Sequence, residues 1–144
     1  MDESIEGWEL LTASPFAHLM GPIHVRPAPA AIFRTVVGPR CANTMGRMHG
    51  GYASALIDIC TGQGVKRIVG DGRLLVTVST HIDFLGSAAL GDTLEIVAAA
   101  DRVTRSVVFA SCVISVRGQP VVRAAVVFSS RDKAAVAEES QENP

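Results

Sequence analysis

Polar and apolar residues alternate along Val76–Phe84. Val76, Val78, Ile82 and Phe84, with Thr80 among them, fall on one side; Thr77, Ser79, His81 and Asp83 fall on the other. Period two over this length predicts a strand with one buried and one wet face. Leu94, Ile96, Ala98 and Ala100 alternate more weakly, Val107–Val116 is apolar at nearly every position, and Val121–Phe128 is a β-branched run. Arg117-Gly118-Gln119-Pro120 reads as a turn, and Thr104-Arg105 leaves room only for a tight one. Three consecutive hairpin-like connections predict an antiparallel meander rather than strand–helix–strand units. Upstream, Ala31–Val37 predicts a short strand ended by Gly38-Pro39. Pro22, Pro27 and Pro29 favour an extended edge segment.

From His49 to Gly70 the period changes. Ala53, Leu56, Ile57, Cys60, Gly64 and Ile68 gather on one face at about 100° per residue, the signature of a helix. Gly50-Gly51 opens it and Gly70-Asp71-Gly72 closes it. Between Met48 and Val65 the single charged residue is Asp58, and Gly62 and Val65 stand where a surface helix would carry charge. The helix therefore reads as covered on most sides, with a sheet wrapped around it: an α+β fold. Residues 1–131 read as one domain. Within it, Trp8, Leu10, Leu11, Phe16 and Leu19 mark residues 1–20 as a helical segment broken near Pro15. Residues 132–144 offer little to bury and read as a disordered or loosely helical tail.

Composition narrows the function classes. The chain has 144 residues, 48% of them hydrophobic and 19% charged, which excludes a mainly disordered protein. A formal charge of −1 gives no electrostatic footprint for nucleic acid or an anionic membrane. No apolar run approaches a bilayer span, and the acidic start Met1-Asp2-Glu3-Ser4 shows no signal-peptide pattern. Cys41, Cys60 and Cys112 are too few and scattered for a disulfide framework or a metal cluster. Reduced thiols in a cytoplasmic protein, with no metal or cofactor, is the reading that follows.

Two features carry candidate chemistry. Asp58 sits about 130° round the helix from the centre of the apolar stripe, beside Ser54, Thr61, Gly62 and Val65. It is either a shielded but reachable functional carboxylate or a helix-surface aspartate bonded to Ser54 or Thr61. His49-Gly50-Gly51 stands at the helix start, where unpaired N–H groups face outward and glycine lets a ligand approach. The bland alternative is backbone punctuation with a structural histidine. Gly50 precedes Asp58 by eight residues, about 12 Å along the axis. That is too far for both to grip one small reacting group, so either the ligand is extended or a second subunit supplies the other half.

Asn43-x-x-Gly46-x-x-His49-Gly50-Gly51, followed seven residues later by Asp58, resembles the signature of the hotdog-fold acyl-CoA thioesterases. The similarity is to the phenylacetate-degradation (PaaI-like) and thioesterase-superfamily-member-2-like branch. It extends to Thr77, Phe84-Leu85 and Gly91-Asp92, over roughly residues 30–130. The resemblance implies a long helix wrapped by an antiparallel sheet of about five or six strands. It implies a homodimer, or a tetramer built from two dimers, with sites shared between subunits. It also implies roles: Asp58 as general base or nucleophile, the Gly50 N–H polarising the thioester carbonyl, and Asn43 holding water or thioester. Thr77 orients water and His49 orients the loop. Gly51, Phe84, Arg102 and Arg105 are candidate substrate contacts, and Arg123 is a further candidate for phosphate. Gly86-Ser87 replaces a basic residue and a proline that the family often carries after the Phe-Leu pair, so a contact to the coenzyme A nucleotide is missing or relocated. His81 and Asp83 are expected to share a face with Thr77 as polar surface. The competing readings are a non-catalytic acyl-CoA-binding protein and a hotdog hydratase or dehydratase, whose helix signature fits less well.

Overall fold

The computed structural model describes residues 6–26 and 31–142. Its elements are β1 (Glu9–Leu10), α1 (Pro15–Leu19), β2 (His24–Arg26), β3 (Ile32–Val36), α2 (Gly50–Val69), β4 (Leu74–Phe84), β5 (Thr93–Val103), β6 (Val107–Val116), β7 (Gln119–Arg131) and α3 (Lys133–Glu142). Pro27, Pro29 and residues 1–5 lie outside the described residues. Among the described residues seven antiparallel strands form one sheet in the order β1-β2-β3-β5-β6-β7-β4. This is the hotdog architecture, with two short N-terminal strands added to the expected sheet.

Helix α2 is the centre of the core. Its Ala53, Leu56, Ile57, Cys60 and Val65 are fully buried against Phe33, Leu94, Ile96, Val108, Ile114 and Phe128 of the sheet. Each large side chain sealed there stabilises the fold by about 1.5–3 kcal/mol. At Gly64 a Cβ would stand 2.7 Å from that of Ala98, so only glycine lets the helix backbone approach β5 this closely. The helix ends as its glycine foretold: Gly70 takes φ +69° and its N–H donates to the Lys66 carbonyl. The apolar face is rotated slightly from the expected one, since Val65 is buried while Ile68 is exposed. No described helix is long and apolar enough to cross a membrane.

Three expectations need correction. Strands β5, β6 and β7 form a meander, with a two-residue turn in which Arg117 and Gly118 both have positive φ. Strand β4, however, pairs with β7 and not with β5, so it ends the sheet as an edge strand. The connection 85–92 is too long for a hairpin and bonds elsewhere: Ala88 is buried and its carbonyl accepts from Met48 N at 2.8 Å. Second, the β4 alternation breaks at a bulge. Thr77 pairs with Phe128 and Ser79 with Val127, leaving Val78 as the extra residue. Thr77 thus faces α2 with the buried Phe128, whereas His81 and Asp83 face outward, where Asp83 accepts from Arg123 at 3.0 Å. Third, Pro15 does not break a helix but opens one, at the first turn of α1 behind the Ser14 cap, and Glu9–Leu10 upstream is strand. The tail forms helix α3 over Lys133–Glu142.

Candidate active site

The start of α2 is held by its own approach. Asn43 Oδ1 accepts from the N–H groups of Met45 at 2.9 Å and Arg47 at 3.1 Å, closing a tight turn. This leaves the Asn43 amide nitrogen as a donor. His49 caps the helix: its Nδ1 accepts from Gly51 N at 2.8 Å, so the proton of the neutral ring resides on Nε2. Its own N–H donates to the Cys41 carbonyl at 2.8 Å. With Gly51 engaged by the cap, the Gly50 N–H meets no acceptor among the described residues. The Phe84 ring stands 3.6 Å from where a Gly50 Cβ would be, so the free N–H lies at the end of strand β4.

Two turns along the helix the Asp58 carboxylate accepts a hydrogen bond from Thr77 Oγ1 at 2.6 Å. The bulge at Val78 makes this contact, because it turns the hydroxyl toward the helix. Asp58 is exposed in the isolated chain, so the shielding expected from sequence is not supplied by the protomer. Ser54 donates to the Gly50 carbonyl at 2.8 Å and not to Asp58. The structure thus gathers Asp58 with Thr77, and Gly50 with His49, Gly51 and Phe84, as two separate clusters along one helix.

The arginines divide. Arg102 pairs in register with the outward-facing Phe109, on the sheet face opposite α2. Arg123 is engaged by Asp83. Arg105 lies in the β5–β6 turn, at a cleft that also includes Arg73, Arg131 and Lys133. Sequence reading missed these three cations because they come from separate segments with no common motif. It also missed a cavity of about 310 Å³ beside the helix start, where Phe16, Leu19 and Met20 of the α1 region face Tyr52 and Ala55. Burial pushes the Tyr52 phenol up to about 12; the Thr35 hydroxyl opposes the shift and the nearby Cys41 thiol adds to it.

The sequence model of the family described as thioesterase superfamily matches residues 45–123. A Pseudomonas aeruginosa protein with the provisional name of an esterase is 29% identical over 126 residues, covering 85% of this chain and 94% of its own. Among solved structures, zebrafish thioesterase superfamily member 2 superposes with a TM-score of 0.74 at 21% identity, over 81% of this chain and 88% of that one. The mutant phenylacetic acid degradation protein of Thermus thermophilus gives 0.72 at 21% identity, over 81% and 98%. A hypothetical thioesterase protein of Streptococcus pneumoniae, solved with coenzyme A, gives 0.67 at 22% identity, over 88% and 90%. These structural similarities speak to the fold.

Proposed function

The chain belongs to the thioesterase superfamily, and from that premise we propose that it hydrolyses acyl-CoA thioesters to the free acid and coenzyme A. The observation that carries this reading is the Asp58 carboxylate held by Thr77 on an otherwise uncharged stretch of α2. Thr77 occupies Oδ1 and leaves Oδ2 to act. As general base, Asp58 takes a proton from water as the hydroxide adds to the thioester carbonyl. As nucleophile, it adds directly and water later cleaves the anhydride. In either course the carbon–sulfur bond breaks, and the thiolate leaves and takes up the proton.

The developing oxyanion needs a donor, and the unengaged Gly50 N–H at the positive end of the helix dipole is one. The free amide of Asn43 is available to hold water or the thioester, while His49 fixes the turn. Gly51 and Phe84 flank the approach, and the cavity beside Tyr52 takes the acyl group. Its 310 Å³ is at the small end for ligand pockets, which favours short, medium or aromatic acyl groups over long chains.

One helix cannot bring Asp58 and Gly50 to the same carbonyl, because eight residues span about 12 Å. The second half-site therefore comes from a second copy. Strand β4 is the sheet's edge, with Val76 and Val78 58% and 65% exposed. Pairing two such edges would continue the sheet and set Asp58 and Thr77 of one protomer near the Gly50 region of the other. A tetramer of two such dimers extends the same reading. The test is a panel of acyl-CoA esters assayed by release of free thiol, with Asp58→Asn as control. Release of thiol by the parent and not by the variant is expected; no release from any ester would overturn the reading.

A further inference from the structure

Residues 12–22 leave the sheet and return to it as a loop with closed ends. Leu11 N donates to the Ile23 carbonyl at 2.8 Å, and Leu10 pairs with His24 one step further out. A segment of this length between two pinned ends is an Ω-loop. Inside it, Ser14 caps α1, its hydroxyl accepting from Ala17 N at 3.1 Å. The N–H groups of His18, Met20 and Gly21 donate to carbonyls of the same loop. Among the described residues, no hydrogen bond joins positions 12–21 to the rest of the molecule. Packing holds the loop down: Ala17 is buried and Met20 rests against the core. On the neighbouring face of α1, Phe16 and Leu19 stand three positions apart and are 54% and 68% exposed. Both line the cavity of about 310 Å³ beside the start of α2, which His49 and Gly51 line as well. The cavity thus joins the loop to the unengaged Gly50 N–H.

We infer that residues 12–22 are a flap that closes over the acyl group, with Phe16 and Leu19 gripping its apolar chain and setting the preference for chain length. The assignment rests on the acyl-CoA reading above. The chemistry of the wall favours an apolar occupant. The loop contributes Phe16, Leu19 and Met20, none of which offers a hydrogen bond, and the cation lining the cavity, Arg40, comes from the Pro39–Cys41 turn instead. Two large apolar side chains left in water beside a cavity gain free energy when a hydrocarbon chain covers them. The loop is also built to move. With no hydrogen bond from positions 12–21 to the body, α1 can swing while the Leu11–Ile23 bond keeps its base in place. The segment precedes both the Asn43–Asp58 motif and the family-matched residues 45–123, so this wall is not part of the shared machinery.

The experiment measures KM for straight-chain acyl-CoA esters from acetyl to octanoyl, using the full chain and the double variant Phe16→Ala/Leu19→Ala. In the parent, KM should fall about fourfold per added methylene, the fold-change for burying one CH2, until the cavity is filled. In the variant the fall should flatten to less than about twofold per methylene, the loss lying in KM rather than kcat. Amide hydrogen exchange at residues 16–21 reads the flap directly, with Asp58→Asn protein used to keep the ester intact. Octanoyl-CoA should slow that exchange about tenfold or more, and acetyl-CoA should not. A KM that is flat across the series in the parent, or that falls equally in the variant, would overturn the inference. So would amides left unprotected by octanoyl-CoA. The exchange measurement also separates this failure from failure of the enzyme reading. If no ester is cleaved but octanoyl-CoA protects the loop in the parent and not in the double variant, the flap stands alone. If esters are cleaved while the loop stays unprotected, the flap assignment falls alone. Protection in the free protein that rises with protein concentration would mean that a second copy covers Phe16 and Leu19, and would also overturn it.

Discussion

Thr77 Oγ1 donates to Asp58 Oδ1 at 2.6 Å, a bond between an edge strand and the central helix across nineteen positions of chain. Asp58→Asn preserves a partner for that hydroxyl while removing the base, so the fold should survive and kcat should fall about 100-fold or more. Thr77→Ala removes one orienting hydrogen bond, an effect of about 1.4 kcal/mol or roughly tenfold in rate. Thiol-release kinetics on both variants, with circular dichroism as the folding control, check the order. A loss at Thr77 greater than at Asp58 would point instead to a hydroxyl nucleophile.

Gly50→Pro removes the unengaged N–H with little else. Position Gly50 is the first of the helix, where proline is tolerated, and His49 already holds the extended φ −69°, ψ 136° that a following proline demands. Loss of one oxyanion donor lowers kcat by about 10²–10³. Mixing this variant with Asp58→Ala and exchanging subunits should yield heterodimers with one intact site of two, and about half the parental activity per mixed dimer. Activity that stays at the level of the separate variants would sink the shared site. So would a monomer, seen by light scattering, that turns over substrate.

The close approach of α2 to β5 makes an opposite pair of glycine variants. Gly64→Ala drives a methyl to 2.7 Å from Ala98 and should destabilise by about 1–3 kcal/mol. In Gly62→Ala the new methyl is 3.8 Å from the Phe128 ring, an ordinary contact, so the stiffer unfolded chain should leave it about 0.4–1 kcal/mol more stable. Urea denaturation of the two variants should move the midpoint in opposite directions.

Alkaline pH should unfold the protein through three buried acids. Burial pushes the Cys60 thiol well above its usual 9.0 and Cys112 to about 11, and holds the Tyr52 phenol at about 12. Each raised value means that the unfolded chain loses its proton first. The stability from these groups is complete below about pH 9 and declines as pH rises through 9 to 12. The slope is about 1.4 kcal/mol per pH unit for each group in its window. The melting temperature should fall across that range, and Cys112→Ala should make the fall shallower between 9 and 11. An identical slope in the variant would remove Cys112 from the account.

The central helix was legible because its signals are local: a 3.6-residue period, a glycine at each end and one charge among apolar neighbours. The turn that leads into the helix was legible for a related reason, since Asn43 and His49 make their bonds to residues within a few positions of themselves. What escaped was long-range. The alternation of Val76–Phe84 carries no mark of a bulge, because the extra residue is a valine that fits either face. Nor does the sequence state that the connection 85–92 docks on the Asn43–Met48 turn, which decides that β4 ends beside β7. The cationic cleft is an outcome of those same placements.

The extra residue in β4 also divides the strand into two segments with separate histories open to them. Ahead of Val78, odd-numbered positions look toward the helix; beyond it, even-numbered ones do. Lengthening or shortening the strand by one residue before the bulge would carry Thr77 off the helix and leave Ile82 where it is. The same change after it would turn Ile82 and Phe84 outward and leave Thr77 in place. The Thr77 contact to Asp58 and the Phe84 contact to Gly50 can therefore drift independently along a single strand, each protected from insertions in the other's half.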